Sequence, residues 1–117
     1  MTQASDPGKA VREASAVEVK TLLDSDNPPI LLDVREPEEV ATAAIDGAIV
    51  IPMGEIPSRL FELQEHAEST VVTFCHGGIR SLNVANYLAA QGFEDVISMA
   101  GGIDAWSQHV DPTVPRY

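Results

Sequence analysis

The sequence predicts an α/β fold: a three-layer sandwich with an open, mostly parallel sheet of about five strands and helices on both faces. Three observations predict it. Short apolar runs at 30–34, 48–51, 71–74 and 96–99 are bounded by turn residues, as strands buried on both faces are. Segments with helical start and stop signals separate these runs. Strand and helix therefore alternate, and right-handed crossovers wind such strands into a parallel sheet. The 117 residues, 44% hydrophobic and 21% charged, suffice for one domain with a real core.

Residues 1–9 are small, polar and interrupted by Pro7-Gly8, and are expected to form a loose tail before a domain spanning 10–117. Val11 to Ala14 reads as a short edge strand. Ser15 caps a helix through Leu23, with Glu18 three residues on completing a capping box. Prolines 28 and 29 stop any helix. Ile30 to Val34 is a strand broken by one acid, Asp33. Pro37 opens a short helix, ending by about Ala44, whose first turn carries Glu38 and Glu39 to suit the dipole. Ala48 to Ile51 is the next strand. Pro57 starts a helix over about Ser58 to His66 with Leu60, Phe61 and Leu63 inward. Val71 to Phe74 is a strand that leads into Cys75. Leu82, Ala85, Leu88 and Ala89 recur at helical spacing, and Gly92 ends that helix as a C′ residue. Val96 to Met99 is the last strand. Gly101-Gly102 turns into a short helix through Trp106, a core residue, and the segment 111–117, with two prolines, is extended.

Seven Lys and Arg against eighteen Asp and Glu give a net charge of -11. That excludes nucleic acid and anionic membrane as primary partners, since both need clustered positive charge. One cysteine allows no intrachain disulfide and no thiolate metal cluster, and His66, His76 and His109 lack zinc-ligand spacing. No metal or organic cofactor is expected. The polar start gives no sign of a signal peptide and no run is long enough to span a membrane, so the expected compartment is the cytoplasm.

The chemistry concentrates in Cys75-His76-Gly77-Gly78-Ile79-Arg80-Ser81. A lone cysteine taken by itself is more often an inert core thiol. Here the thiol sits where a strand hands over to a helix, at the carboxyl end of the sheet where such folds bind ligands. A helix N-terminus and nearby cations favour the thiolate. Gly77 and Gly78 can turn several N–H groups inward to form an anion nest. Arg80 adds a permanent charge and His76 a titratable one.

This loop resembles the active-site loop of single-domain rhodaneses, Cys-x-x-Gly-x-Arg-Ser. The resemblance extends to Asp33-Val34-Arg35-Glu36, to 45–52, and to the closing Gly101-Gly102-Ile103-Asp104-Ala105-Trp106. It implies a rhodanese-like fold and a sulfurtransferase in which Cys75 carries sulfane sulfur as a persulfide. The loop His76, Gly77, Gly78, Ile79, Arg80 and Ser81 would wrap that sulfur, with Arg80 placing an anionic donor such as thiosulfate. The acceptor would be cyanide, a thiol or a sulfur-acceptor protein. The segment 111–117 resembles the ending of rhodanese domains fused to enzymes that thiolate sulfur-carrier proteins. Two positions depart from the family pattern: Ala43-Ala44 replaces Gly-His, and Val50 replaces Asn, which bears on donor or partner preference. Asp33 and Arg35 read as structural support, because a charge in a buried run needs a partner.

Two rival readings share this fold. A rhodanese-fold phosphatase needs a longer loop, Cys-x5-Arg, and here four residues separate Cys75 from Arg80. A non-enzymatic binding module often lacks the cysteine that this chain keeps.

Overall fold

The computed structural model describes residues 11–117; the tail expected at 1–9 lies outside the described residues. Five strands form one sheet: β1 (Val11–Ala14), β2 (Ile30–Asp33), β3 (Ile49–Val50), β4 (Thr70–Phe74) and β5 (Asp95–Met99). Their order is β1-β5-β4-β2-β3, and every pairing is parallel. The helices are α1 (Ala16–Leu23), α2 (Pro37–Thr42), α3 (Ile79–Ala90) and α4 (Gly102–His109).

Side chains along a strand alternate between faces, and β4 divides the core accordingly. Val71, and Cys75 just beyond the strand, join Val34, Val84, Ala85 and Leu88 on the α3 side. Val72 and Phe74 join Val19, Ile103 and Trp106 on the α1 and α4 side. A sheet covered on both faces needs apolar residues at nearly every strand position, which is why the strands read as continuous runs. The capping box forms at α1: Ser15 Oγ accepts the Glu18 N–H at 3.1 Å, and Glu18 Oε1 accepts the Ser15 N–H at 2.8 Å.

Four expectations need correction. The helix over 58–66 is instead a chain of 3-10 turns at Leu60–Glu62 and Gln64–His66, preceded by one at Met53–Glu55. Pro57 has no N–H, and bonds between residues three apart, such as Leu63 N to Leu60 O at 2.9 Å, carry the segment. With a period of three, Leu60 and Leu63 turn inward, and Phe61 is left 73% exposed. The strand β3 is two residues rather than four, because only Ile49 and Val50 pair with β2. On α3 the buried stripe is Ser81, Val84, Ala85, Leu88 and Ala89, and Leu82 is only half-buried. The segment 111–117 is not extended throughout: it turns at 112–113, Val114 is buried and Tyr117 packs on the loop that follows β4.

No described helix is long and apolar enough to cross a membrane, and among the described residues no group of His, Cys, Asp and Glu could hold a metal ion.

Candidate active site

The loop after β4 lies at the carboxyl end of the central strand, with α3 rising from it. Gly78 adopts φ +113, and a Cβ there would lie 3.2 Å from the Gly101 N. Gly77 has no such angle, so only Gly78 carries the backbone freedom expected of both.

The first turn of α4 fastens this loop from behind. The Ile103 N–H donates to the Cys75 carbonyl at 2.9 Å, and the Asp104 N–H donates to the His76 carbonyl at 3.2 Å. In a trans peptide the C=O and the following N–H point in opposite directions. Tying back these two carbonyls therefore turns the His76 and Gly77 N–H groups toward the thiol side. The approach is close enough to require glycine: a Cβ on Gly102 would lie 2.3 Å from the His76 oxygen and 2.4 Å from that of Cys75.

Cys75 is 1% exposed. Its Sγ accepts the Gly78 N–H at 3.1 Å and the Ser81 N–H at 3.4 Å, and lies 3.6 Å from Ser81 Oγ. Burial pushes the thiol pKa up. The Ser81 N–H, the Ser81 hydroxyl and the N–H groups of Gly78 and Gly77 outweigh it, leaving the thiol below its ordinary value. Ser81 Oγ also donates to the Gly78 carbonyl at 3.1 Å and lies 2.8 Å from Ser98 Oγ. Ser98 was not among the expected site residues; a serine inside an apolar strand run was its only sequence signal, and the fold buries it completely.

Arg80 does not present a free fork. Its Nη1 and Nη2 bind Glu39 Oε1 and Oε2 at 2.7 and 2.9 Å. An anionic donor placed by Arg80, as expected from the sequence, would meet a guanidinium that already holds a carboxylate. Arg80 holds the Glu39 carboxyl down at about 2, against burial and with help from the Glu36 N–H and the Tyr117 hydroxyl. The same carboxylate receives the Glu36 N–H at 3.0 Å and the Tyr117 O–H at 2.9 Å. Tyr117 in turn accepts Arg35 Nη1 at 3.0 Å, and its ring stacks on His76 with centroids 4.3 Å apart.

Asp33 and Arg35 form a pair beneath this rim. Arg35 Nε and Nη2 reach the two Asp33 oxygens at 2.9 and 2.6 Å, and Nη2 also reaches the Ala43 carbonyl at 2.8 Å. Glu39 and Tyr117 were not expected at the site. Glu39 showed only as a first-turn acid of α2, and nothing near Tyr117 in sequence points to a residue 78 positions away.

A nucleophile in an N–H cradle at the head of a helix suits chemistry on a small group. Comparison with known proteins gives the same direction. The family model for the rhodanese-like domain matches residues 15–109. The Bacillus subtilis protein YtwF, provisionally named a sulfurtransferase, is 39% identical over 102 residues, covering 87% of this chain and 96% of that protein. A sulfurtransferase of Allochromatium vinosum is 35% identical over 104 residues, covering 89% and 95%. A Staphylococcus aureus rhodanese-like domain protein superimposes with a TM-score of 0.77 at 32% identity, covering 91% and 98%. The strand-borne thiol, the glycine-clamped loop and these matches along nearly the whole chain agree, and the chain belongs to the rhodanese-like domain family.

Proposed function

We propose that this chain is a sulfurtransferase that carries sulfane sulfur on Cys75 from a donor to a thiophilic acceptor. The observation that carries the reading is the cradle: two backbone N–H groups, from Gly78 and Ser81, converge on one buried sulfur. The Ser81 hydroxyl lies beside it. In the first half-reaction the Cys75 thiolate attacks the outer sulfur of the donor. A bond forms between Sγ and that sulfur, and the donor's own S–S bond breaks. With thiosulfate the electron pair leaves on sulfite. In the second half-reaction the acceptor attacks the outer sulfur, the Cys75 S–S bond breaks, and the thiolate returns. With cyanide the product is thiocyanate. No electrons enter or leave the cycle as a whole.

The protein contributes orientation and charge stabilisation. The N–H groups of Ile79, Arg80 and Ser81 precede the first backbone bond of α3, which runs from Leu82 N to Gly78 O at 3.2 Å. That of Ser81 already meets Sγ. Those of Ile79 and Arg80, together with that of His76, are the loop's donors for a second sulfur. Ser81 can donate to only one acceptor at a time. As Cys75 loses its proton, the hydroxyl can turn from the Gly78 carbonyl to Sγ and follow the charge. Asp33 and Arg35 act as structural support below. The Glu39 bond to Arg80 weighs against phosphoryl transfer, which would need that fork for the oxygens of a phosphoryl group.

The test is intact mass after incubation with a sulfane donor. The expected result is a gain of one sulfur, discharged by cyanide with release of thiocyanate and absent in Cys75→Ala. No gain in the wild type, or a gain that survives Cys75→Ala, overturns the reading.

A further inference from the structure

We infer that Ser98 of β5 is a positioning residue for the reacting sulfur: it donates to Ser81 Oγ, and so leaves the Ser81 hydroxyl proton free to meet Cys75 Sγ. The inference rests on the reading of Cys75 as the sulfur carrier and adds a residue to that site.

Thr73 and Ser98 are paired positions of β4 and β5, and both are fully buried. Paired positions of neighbouring strands point to the same face of a sheet. Here both side chains meet Ser81 in the first turn of α3. Thr73 Oγ1 donates to the Ser81 carbonyl at 2.9 Å and fixes the backbone of that turn over the sheet. Ser98 Oγ lies 2.8 Å from Ser81 Oγ.

The direction of that last bond follows from counting protons. Each serine hydroxyl has one proton to give and two lone pairs to accept with. Ser81 Oγ has three neighbours: Ser98 Oγ at 2.8 Å, the Gly78 carbonyl at 3.1 Å and Cys75 Sγ at 3.6 Å. Among the described residues, Ser98 Oγ has Ser81 Oγ as its one hydrogen-bonding neighbour. If Ser81 donated to Ser98, the Ser98 proton would lie buried without an acceptor, and neither the Gly78 carbonyl nor the sulfur would receive the Ser81 proton. With Ser98 as the donor, both protons are used. A hydroxyl that accepts a hydrogen bond also becomes a stronger donor.

The arrangement serves both states of the sulfur. While Cys75 is a thiol, Ser81 Oγ accepts from Ser98 and from the S–H and donates to the Gly78 carbonyl. Once the thiolate forms, Ser81 still accepts from Ser98 and donates to Sγ. Charge sits on Sγ twice in each cycle: when the thiolate attacks the donor, and when it is released as the acceptor takes the outer sulfur. Both hydroxyl protons stay on their own oxygens throughout; only the Ser81 proton changes direction. The charged and titratable groups near the sulfur have partners of their own: Arg80 with Glu39, Arg35 with Asp33, Asp104 with Arg116, and His76 on the Tyr117 ring. β5 itself carries Asp95, at its other end. Replacing Ser98 leaves all of these in place.

The experiment measures the pH dependence of Cys75 alkylation by iodoacetamide in the wild type, Ser98→Ala, Ser81→Ala and the double variant. Ser98→Ala is expected to move the midpoint of the profile to higher pH and to lower the rate on its acid side about threefold, because a neighbour's polarisation supplies a fraction of one charge-assisted bond. Ser81→Ala is expected to lower that rate about tenfold, by removing the bond itself. On the Ser81→Ala background, Ser98→Ala is expected to have no further effect. A profile unchanged in Ser98→Ala, or a Ser98→Ala effect that persists without the Ser81 hydroxyl, overturns the inference. Should Ser98→Ala fail to fold, Ser98→Gly removes the same hydroxyl without adding an atom and is read by the same criteria. Alkylation needs no sulfur donor, so the two readings fail separately: a wild type that gains no sulfur ends the sulfur-transfer reading, while the alkylation profiles still decide whether Ser98 acts on the sulfur through Ser81.

Discussion

Arg35 and Arg80 each grip a carboxylate at the same end of the sheet, yet their side chains are 0% and 30% exposed. Arg35 satisfies all five of its donors: two Asp33 oxygens, the carbonyls of Ala43 and Glu39, and the Tyr117 oxygen. It also lies over the Phe74 ring, 5.6 Å from its centroid. Arg80 uses its fork on Glu39 alone among side chains. The buried pair is therefore a fixture of the fold, whereas the rim pair sets the charge that an incoming molecule meets. Tyr117 joins them, accepting from Arg35 and donating to Glu39.

Breaking the buried pair should have the largest effect. Arg35→Ala leaves Asp33 charged inside the protein with only the backbone N–H of residue 35 as a donor, and is expected to cost about 3–5 kcal/mol in urea unfolding. A loss under 1 kcal/mol would place the two arginines in the same class. The loop between them is fastened at Gly102, where φ is +59. Gly102→Ala forces a methyl against two carbonyl oxygens and is expected to cost about 3 kcal/mol. It should also raise the thiol pKa, read from the pH dependence of alkylation, because the tied carbonyls no longer aim the N–H groups.

Acid sharpens the contrast at the rim. The Glu39 pKa is about 2 in the fold against an ordinary 4.5. A lowered carboxyl pKa means that the charged form stabilises the protein. That contribution is complete above pH 4.5 and disappears as pH falls through 2, and it amounts to about 1–3 kcal/mol. Unfolding free energies of the wild type and Glu39→Gln should converge by that amount between these limits. A constant difference would mean that Glu39 acts by shape and not by charge. The smallest effect belongs to the link: Tyr117→Phe keeps the ring on His76, removes the bridging hydroxyl, and is expected to cost about 1 kcal/mol at an unchanged m-value.

The features legible in the sequence are those with local causes. β2, β4 and β5 are continuous apolar runs, α1 carries its own capping box, and Gly92 takes φ +99 where the helix ends. Leu60 and Leu63 could not distinguish an α-helix from 3-10 turns, because both geometries bring residues three apart to one side. The rim was opaque for another reason. Arg80 and Glu39 are 41 residues apart and Arg35 and Tyr117 are 82 apart, so only the folded sheet brings them together. Reading Arg80 alone made it a free cation; its partner changes what it can attract.

Gly78 stands at the cap of α3 and has no side chain to offer. The atom that takes the Ser81 N–H, which a serine or aspartate oxygen would ordinarily accept, is the Cys75 sulfur. The sulfur proposed to react is thus also the acceptor that caps the first turn of α3. By linkage, a helix that favours the thiolate is itself steadied when the thiolate forms. Each change of charge on the sulfur therefore changes the stability of the first turn of α3, where Gly78 and Ser81 meet it.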